Sequence, residues 1–401
     1  MITFADGFSG FGGVQIAARM AGFTPLCAIE KDPAIAEVHR INLDGTLLTA
    51  DMLTVDPRGL PTPHVQHWSP PCINASLAKK DGEETELDRL FAGQIIRFTE
   101  AHRPPVVTLE NVFNYRNFQA FQGGKLCEGL VPALMRLGYQ VRWWHVNFAD
   151  YGVPQLRKRL IMVAARGFVP QLPPATHQEP GQGLSQLSMF SQFPNWIGWY
   201  AAIEDLLPTL PESEFAPWQL ARLPTQYQEL LVGNQQRDGV ISHAHAAKPA
   251  MTVTTSGLKY RAFLMGGAGN TNFADAKPGN GVRYAEEPAG TVTTQMGGGT
   301  MPRAFVISGT NSNSWVNEDG IATVFYRSDP IFTVTSNIHK GLPRAYLEHG
   351  KVVKMTPRAL ARFQTFPDSF QLPANARLAA QGIGNAVPPV GMAEFFKQIG
   401  R

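Results

Sequence analysis

Cys72 stands directly behind two prolines in Trp68-Ser69-Pro70-Pro71-Cys72-Ile73-Asn74-Ala75-Ser76. Proline fixes φ, lacks a backbone donor and pushes the residue before it towards extended geometry, so this thiol sits on a stiff loop. A cysteine presented this way suits a nucleophile; a buried small thiol behind a turn is the other reading. Further along, Glu110 ends the apolar run Val106-Val107-Thr108-Leu109. Arg157 and Arg159 follow in Gln155-Leu156-Arg157-Lys158-Arg159, where alternation in an extended segment turns both to one side. A thiolate nucleophile needs positive charge nearby, which such a pair offers. His64, His67 and Cys72 make a poor zinc set, with one cysteine and two intervening prolines, so no metal site is expected.

The elements that must carry these groups read as α/β in the first half. Ile2-Thr3-Phe4-Ala5 is a short strand, followed by the turn Asp6-Gly7-Phe8-Ser9-Gly10-Phe11-Gly12-Gly13 and a helix over about 14–21, stopped by Gly22. Glycines in a first strand–helix turn let a ligand approach the backbone beside the positive helix end. The spacing is not GxGxxG, and a tight turn without a ligand is the competing reading. The second strand, Pro25–Ile29, ends in Glu30; Asp32 and Pro33 read as N-cap and first residue of the next helix. A third unit ends near Asp51. Acids or glycines at three successive strand ends argue for an open α/β sheet. Helices are expected over about 87–102 and 127–137, and strands over 139–148 and 160–165. The polar stretch 73–90 reads as a loop with a glycine hinge.

From 168 to 195 the composition shifts to Pro, Gln, Ser and Gly, which reads as a linker; a helix is expected over 196–207. Beyond it a weak repeat spans about 248–346: Met251-Thr252-Val253-Thr254, Gly290-Thr291-Val292-Thr293 and Phe332-Thr333-Val334-Thr335 recur at intervals of 39 and 42 residues. Each copy leads into an Arg-Ala-aromatic strand beginning at Arg261, Arg303 or Arg344. Those arginines suit either DNA contact or stacking between copies.

The whole chain of 401 residues carries a net charge of +3, yet 13 Lys/Arg against 7 Asp/Glu fall between Ile241 and Thr365, a local excess of +6. A positive segment suits a polyanion. No apolar run is long enough to span a membrane, and the first residues lack a signal-peptide pattern. Three scattered cysteines fit no disulfide framework, so a reducing cytoplasmic setting is expected.

Six separated segments, in order, resemble the C5-cytosine DNA methyltransferases. They are Asp6–Gly13, Pro70-Pro71-Cys72, Glu110-Asn111-Val112, Gln155–Arg159, the run Thr356-Pro357-Arg358 to Phe363-Gln364-Thr365-Phe366-Pro367-Asp368, and Gly384-Asn385-Ala386-Val387-Pro388-Pro389. The resemblance implies a Rossmann-like S-adenosylmethionine-dependent domain, a mostly parallel sheet with helices on both faces, over 1–167 and completed by 376–401. It implies a smaller, mainly β target-recognition domain over 196–375. One departure stands out: the family commonly continues Pro-Cys-Gln, then a small residue, Phe and Ser, and here only Ser76 keeps its place.

By that resemblance Cys72 adds to C6 of cytosine, Glu110 serves N3, and an arginine serves O2, with Arg159 favoured there and Arg157 favoured for steadying the cysteine loop. Phe8, Gly10, Gly12, Glu30, Asp51, Pro71 and Asn385 are expected to hold S-adenosylmethionine, which leaves as S-adenosylhomocysteine. Ser76, Lys79, Lys80, Gln155, Arg261, Arg303 and Arg344 are expected at the DNA. The implied substrate is a base flipped out of double-stranded DNA. A monomer near the nucleoid is expected, with a restriction endonuclease as a functional partner or with an orphan or phage-type role. An RNA C5-methyltransferase and a non-catalytic DNA-binding relative are the alternatives. A nicotinamide-dependent dehydrogenase would need a fuller GxGxxG and leaves Glu-Asn-Val without a role.

Overall fold

A computed structural model of the protein describes residues 1–71, 83–179, 193–213, 264–265, 282–283, 305–307, 325–326, 330–332, 344–346 and 352–400. In chain order the first part contains β1 (Thr3–Gly7), α1 (Gly13–Met20), β2 (Thr24–Glu30), α2 (Pro33–Asn42), β3 (Thr46–Thr49), β4 (Val65–Trp68), α3 (Glu86–His102), β5 (Val106–Asn111), α4 (Gln119–Gln122), α5 (Leu130–Arg136), β6 (Gln140–Asn147), β7 (Gln155–Leu156) and β8 (Lys158–Ala165). After them come α6 (Trp199–Ile203), α7 (Pro357–Phe363), α8 (Ala376–Asn385) and α9 (Pro389–Ile399).

Seven strands form one sheet in the order β3-β2-β1-β4-β5-β8-β6. The first five are parallel, and β8 runs antiparallel to both neighbours. The strand order reverses direction between β1 and β4, which opens a crevice at the carboxyl ends of the strands. Strands β4 and β5 are buried at every position, as a parallel sheet covered on both faces requires. One face packs on α1 and α9 through Phe4, Val14, Val163 and Phe396. The other packs on α3 and α5 through Leu109, Ile95, Leu134 and Met162. A third apolar cluster joins α6, α7 and α8, with Trp199, Leu360, Phe363 and Ile383 at its centre.

Local chemistry accounts for the helix starts. Asp32 Oδ1 accepts from Ala34 N at 2.8 Å and Ile35 N at 3.3 Å, ahead of Pro33. Thr356 Oγ1 accepts from Ala359 N at 3.3 Å, ahead of Pro357. Thr85 and Asp88 close a reciprocal capping box on α3. The helix expected over 196–207 is shorter than that. Trp196 is pinned outside it, its Nε1 donating to Asp150 Oδ1 at 2.9 Å, and α6 gives way at Glu204 to a 3-10 turn that contains Pro208. Similarly, the helix expected from 127 starts at Leu130, because Gly129 ahead of it has φ 79.

In the repeat region Phe325–Tyr326, Phe305–Ile307, Arg344–Tyr346 and Val352–Lys354 form an antiparallel sheet in that order. The strands of the second and third copies are thus direct neighbours, with Phe305 opposite Tyr346. Ile331–Phe332 pairs in parallel with β7, which ties this region to the arginine segment. The three Thr-Val-Thr strands lie outside the described residues. No helix among the described residues is long and apolar enough to cross a membrane.

Two histidines inside this fold should make it acid-sensitive. His67 is fully buried between Thr108 Oγ1 at 2.8 Å and Ser69 Oγ at 2.7 Å, and burial pushes its pKa down to about 3. His39 is pushed down to about 4, mainly by burial. In the unfolded chain each titrates near 6.5. Between that pH and the folded values, the unfolded state takes up protons that the folded state refuses, so stability falls as pH drops through the window. From pH 7 to 5 the loss should be roughly 2 kcal/mol per histidine. Urea unfolding at both pH values tests this: His67→Gln should shrink the fall by about that amount, and an unchanged fall removes His67 as a cause.

Candidate active site

The glycine turn after β1 is built from unusual backbone. Phe8 has φ 64, Gly10 φ 54 and Gly12 φ 82. A Cβ on Gly12 would meet the end of the Leu43 side chain, which can move aside, so it is the left-handed backbone that calls for glycine here. A Cβ on Gly10 would meet nothing within 4 Å, so the backbone there faces open space. The turn is braced from α2: His39 Nδ1 lies 3.2 Å from Gly10 O, and His39 Nε2 lies 3.1 Å from Gln15 Oε1. Sequence reasoning missed this brace, because nothing local marks His39 as different from any helical histidine.

Glu30 closes the turn from β2. Its two carboxylate oxygens accept from Gly10 N at 2.9 Å and Asp32 N at 2.8 Å. Asp51, beyond β3, accepts from Lys31 Nζ at 2.8 Å and Leu53 N at 3.0 Å, and chiefly the lysine bond holds its pKa below the usual carboxylate range. The Phe8 ring packs edge-on to Phe91 at 4.9 Å. Beneath the turn lies Asp6, wholly buried, with neither carboxylate oxygen hydrogen-bonded among the described residues. Burial and the nearby Glu30 raise its pKa well above the ordinary range.

At the far side of the crevice, Glu110 and Arg159 form an ion pair, Oε1 to Nε 3.0 Å, with side chains 8% and 14% exposed. The register explains the encounter: Glu110 opposes Ile161 and Val146 opposes Arg159, so adjacent strands bring the two groups to one sheet face. Arg157 takes a different course. It is buried, and its Nη1 and Nη2 donate to Gly384 O at 3.2 Å and Ala386 O at 2.9 Å, on either side of Asn385. Burial, then Arg159, depresses its pKa well below the usual value.

Gln155, expected at the DNA, is instead fully buried. Its Nε2 donates to Phe363 O at 3.2 Å and Gln364 Oε1 at 2.6 Å. Gln364 Nε2 in turn donates to Ile383 O at 2.9 Å and Ala386 O at 2.8 Å. A buried amide must spend its hydrogen bonds inside the protein, and these partners leave Gln155 facing α7, away from solvent. Gln364, which sequence reasoning quoted only as part of a motif, is the centre of this knot. Asn111, the neighbour of Glu110, donates from Nδ2 to Pro70 O at 3.2 Å and so anchors the backbone two residues ahead of Cys72. Pro71 is exposed at the last described position before Cys72. Cys72, Ser76, Lys79, Lys80, Arg261 and Arg303 lie outside the described residues. Arg344 opens the strand Arg344–Tyr346.

A doubly wound sheet with a glycine turn at its reversal point, two acids on the next strand ends and a buried acid–arginine pair across the crevice defines a nucleotide-cofactor enzyme of the methyltransferase kind. The chain belongs to the C-5 cytosine-specific DNA methylase family, whose model matches residues 2–401. It is an enzyme that methylates cytosine C5 in DNA with S-adenosylmethionine as methyl donor. Among its relatives, Type II methyltransferase M.AgeI of Thalassovita gelatinovora is 26% identical over 98% of this chain and 98% of its own. Type II methyltransferase M.HhaI of Haemophilus parahaemolyticus is 24% identical over 96% of this chain and 90% of its own. A variant of Spodoptera frugiperda DNMT2 shares the fold with a TM-score of 0.51, at 13% identity, over 100% of this chain and 99% of its own.

The residues at the crevice fit the donor. Its ribose hydroxyls and adenine amino group are hydrogen-bond donors, and Glu30 and Asp51 present carboxylates with acceptor sites to spare. The open face of Gly10 admits a ligand against the backbone.

Proposed function

We propose that this enzyme acts on a specific sequence of duplex DNA and forms a covalent bond between Cys72 and C6 of a flipped-out cytosine. The observation that carries the reading is the buried Glu110–Arg159 pair, with the neighbouring Asn111 holding Pro70 two residues ahead of Cys72. Cytosine C5 is electron-poor. Addition of the Cys72 thiolate at C6 turns the ring into an enamine, which is nucleophilic at C5. Electron flow towards N3 needs a proton there, and Glu110 shares one with N3 once the base is in place. Charge developing at O2 is met by Arg159, already held beside Glu110. S-adenosylmethionine, when bound, supplies the electrophilic methyl group. Loss of the C5 proton and release of Cys72 then restore the aromatic ring. Arg157 acts at one remove, by fixing the turn that presents Asn385.

Phe8, Gly10, Gly12, Glu30, Asp51, Pro71 and Asn385 are assigned to the donor. The basic segment between Ile241 and Thr365 is assigned to target recognition, within a domain spanning 196–375, and the domain assignment of 1–167 with 376–401 stands beside it. The relatives named as Type II methyltransferases support a restriction–modification setting, with an endonuclease as functional partner; a monomer working in the cytoplasm on the nucleoid is assigned beside it. Mapping 5-methylcytosine in DNA from expressing cells tests the reading. Methylation at one recurring sequence is expected. Methyl groups in RNA alone would overturn it.

A further inference from the structure

Phe113 follows β5 and opens the turn Phe113–Asn117, three residues beyond Glu110. Its ring stacks on His145 of β6, with centroids 3.9 Å apart and planes 18° apart. The Arg116 guanidinium lies over the same ring, 4.1 Å from its centroid. Two groups this close cannot share a face, so Phe113 is sandwiched, and Arg116 is held by a cation–π contact. Lys158, the first residue of β8, stands beside this stack: it and Arg116, after burial, depress the pKa of His145.

Several other cations of the protein are already committed. Arg19, Lys31, Arg136, Arg362 and Lys397 are each paired with a carboxylate. Arg116 and Lys158 are exposed and take part in no ion pair or side-chain hydrogen bond among the described residues. The carboxylate that feels Lys158 is Asp150, which receives Trp196 Nε1 at 2.9 Å.

Their position relates them to the reacting base. Asn111, Leu160 and His145 lie in one row across β5, β8 and β6, next along the strands to the row that holds Glu110 and on the other face of the sheet. Two strand spacings separate His145 from the end of β5, or about 10 Å. One DNA strand advances about 3.4 Å per nucleotide, so this distance covers about three nucleotides.

We propose that Arg116, seated on the Phe113–His145 stack, and Lys158 grip backbone phosphates of the DNA strand within about three nucleotides of the flipped cytosine. The inference rests on the enzyme acting on DNA. Phosphate contacts carry no sequence information, so the site fixes register and leaves target choice to other residues. The Phe113 ring limits the freedom of Arg116, which lowers the entropy cost of the contact.

Fluorescence anisotropy with short mixed-sequence duplex DNA, on the full chain with S-adenosylhomocysteine present, tests this across a salt titration. Arg116→Ala and Lys158→Ala should each lower the slope of log affinity against log salt by about 0.9, and the double variant by about twice that. Calorimetric binding of S-adenosylhomocysteine and the melting temperature should match wild type. Slopes parallel to wild type would overturn the proposal, as would a slope change on duplex RNA without one on DNA. If the wild type binds duplex DNA but puts no methyl group on it, the catalytic reading fails separately.

Discussion

Cys72→Ala should abolish methyl transfer, by at least about a thousandfold, while DNA and S-adenosylhomocysteine still bind. Without the sulfur no bond forms at C6, and cytosine C5 stays too electron-poor to attack a methyl group. The remaining groups at the site, Glu110 and Arg159, polarise the ring and do not replace the missing electron pair. Binding should persist because none of the proposed phosphate and donor contacts uses the Cys72 sulfur. Pro70 is secured by Asn111 Nδ2 on its carbonyl oxygen at 3.2 Å, a bond that the substitution does not touch. Incorporation of labelled methyl groups into DNA, alongside a gel-shift titration, reads both quantities. Methylation at the wild-type rate would end the covalent mechanism. Loss of binding together with activity would instead make Cys72 a structural thiol.

Arg159→Ala should cost both stability and rate. The Glu110 side chain is 8% exposed, and its charge is balanced by Arg159 Nε at 3.0 Å. Removing one partner of a buried pair leaves the other charge uncompensated, which costs about 3 kcal/mol. For a chain of this length that is a drop of several degrees in Tm. Loss of a cation aimed at developing charge should lower kcat by roughly a hundredfold to a thousandfold. The two effects separate in a double variant. Adding Glu110→Gln removes the stranded charge, so stability should return towards wild type while activity stays lost. Thermal melts and single-turnover rates of the three variants check this. An Arg159→Ala protein as stable and as active as wild type would show that the pair serves neither purpose.

Gln155 and Gln364 show where reading along the chain reaches its limit. Both fall in recognisable motifs, yet a motif does not say which way a side chain turns. Gln155 reads as a polar residue in a basic run, and a surface role is the natural expectation. Its partner Gln364 lies 209 residues away, so burial there depends on how α7 packs against β7. The order of the strands is similar in kind. The parallel βα units are visible in the alternation of apolar runs and helices. That β8 inserts between β5 and β6, antiparallel to both, follows from a returning hairpin whose pairing is long-range.

What the sequence determined by itself was local chemistry: two prolines directly ahead of a thiol, acids and glycines at strand ends, capped helix starts at Asp32-Pro33 and Thr356-Pro357, and six motifs in family order. Caps and turns are set by residues a few positions apart, so they are legible without a fold. Only the tertiary structure decided which arginine meets Glu110. Arg157 and Arg159 share a side of an ideal strand and cannot be told apart by alternation. Strand register places Arg159 at Glu110, and the turn after α8, more than two hundred residues on, draws Arg157 away to Gly384 and Ala386.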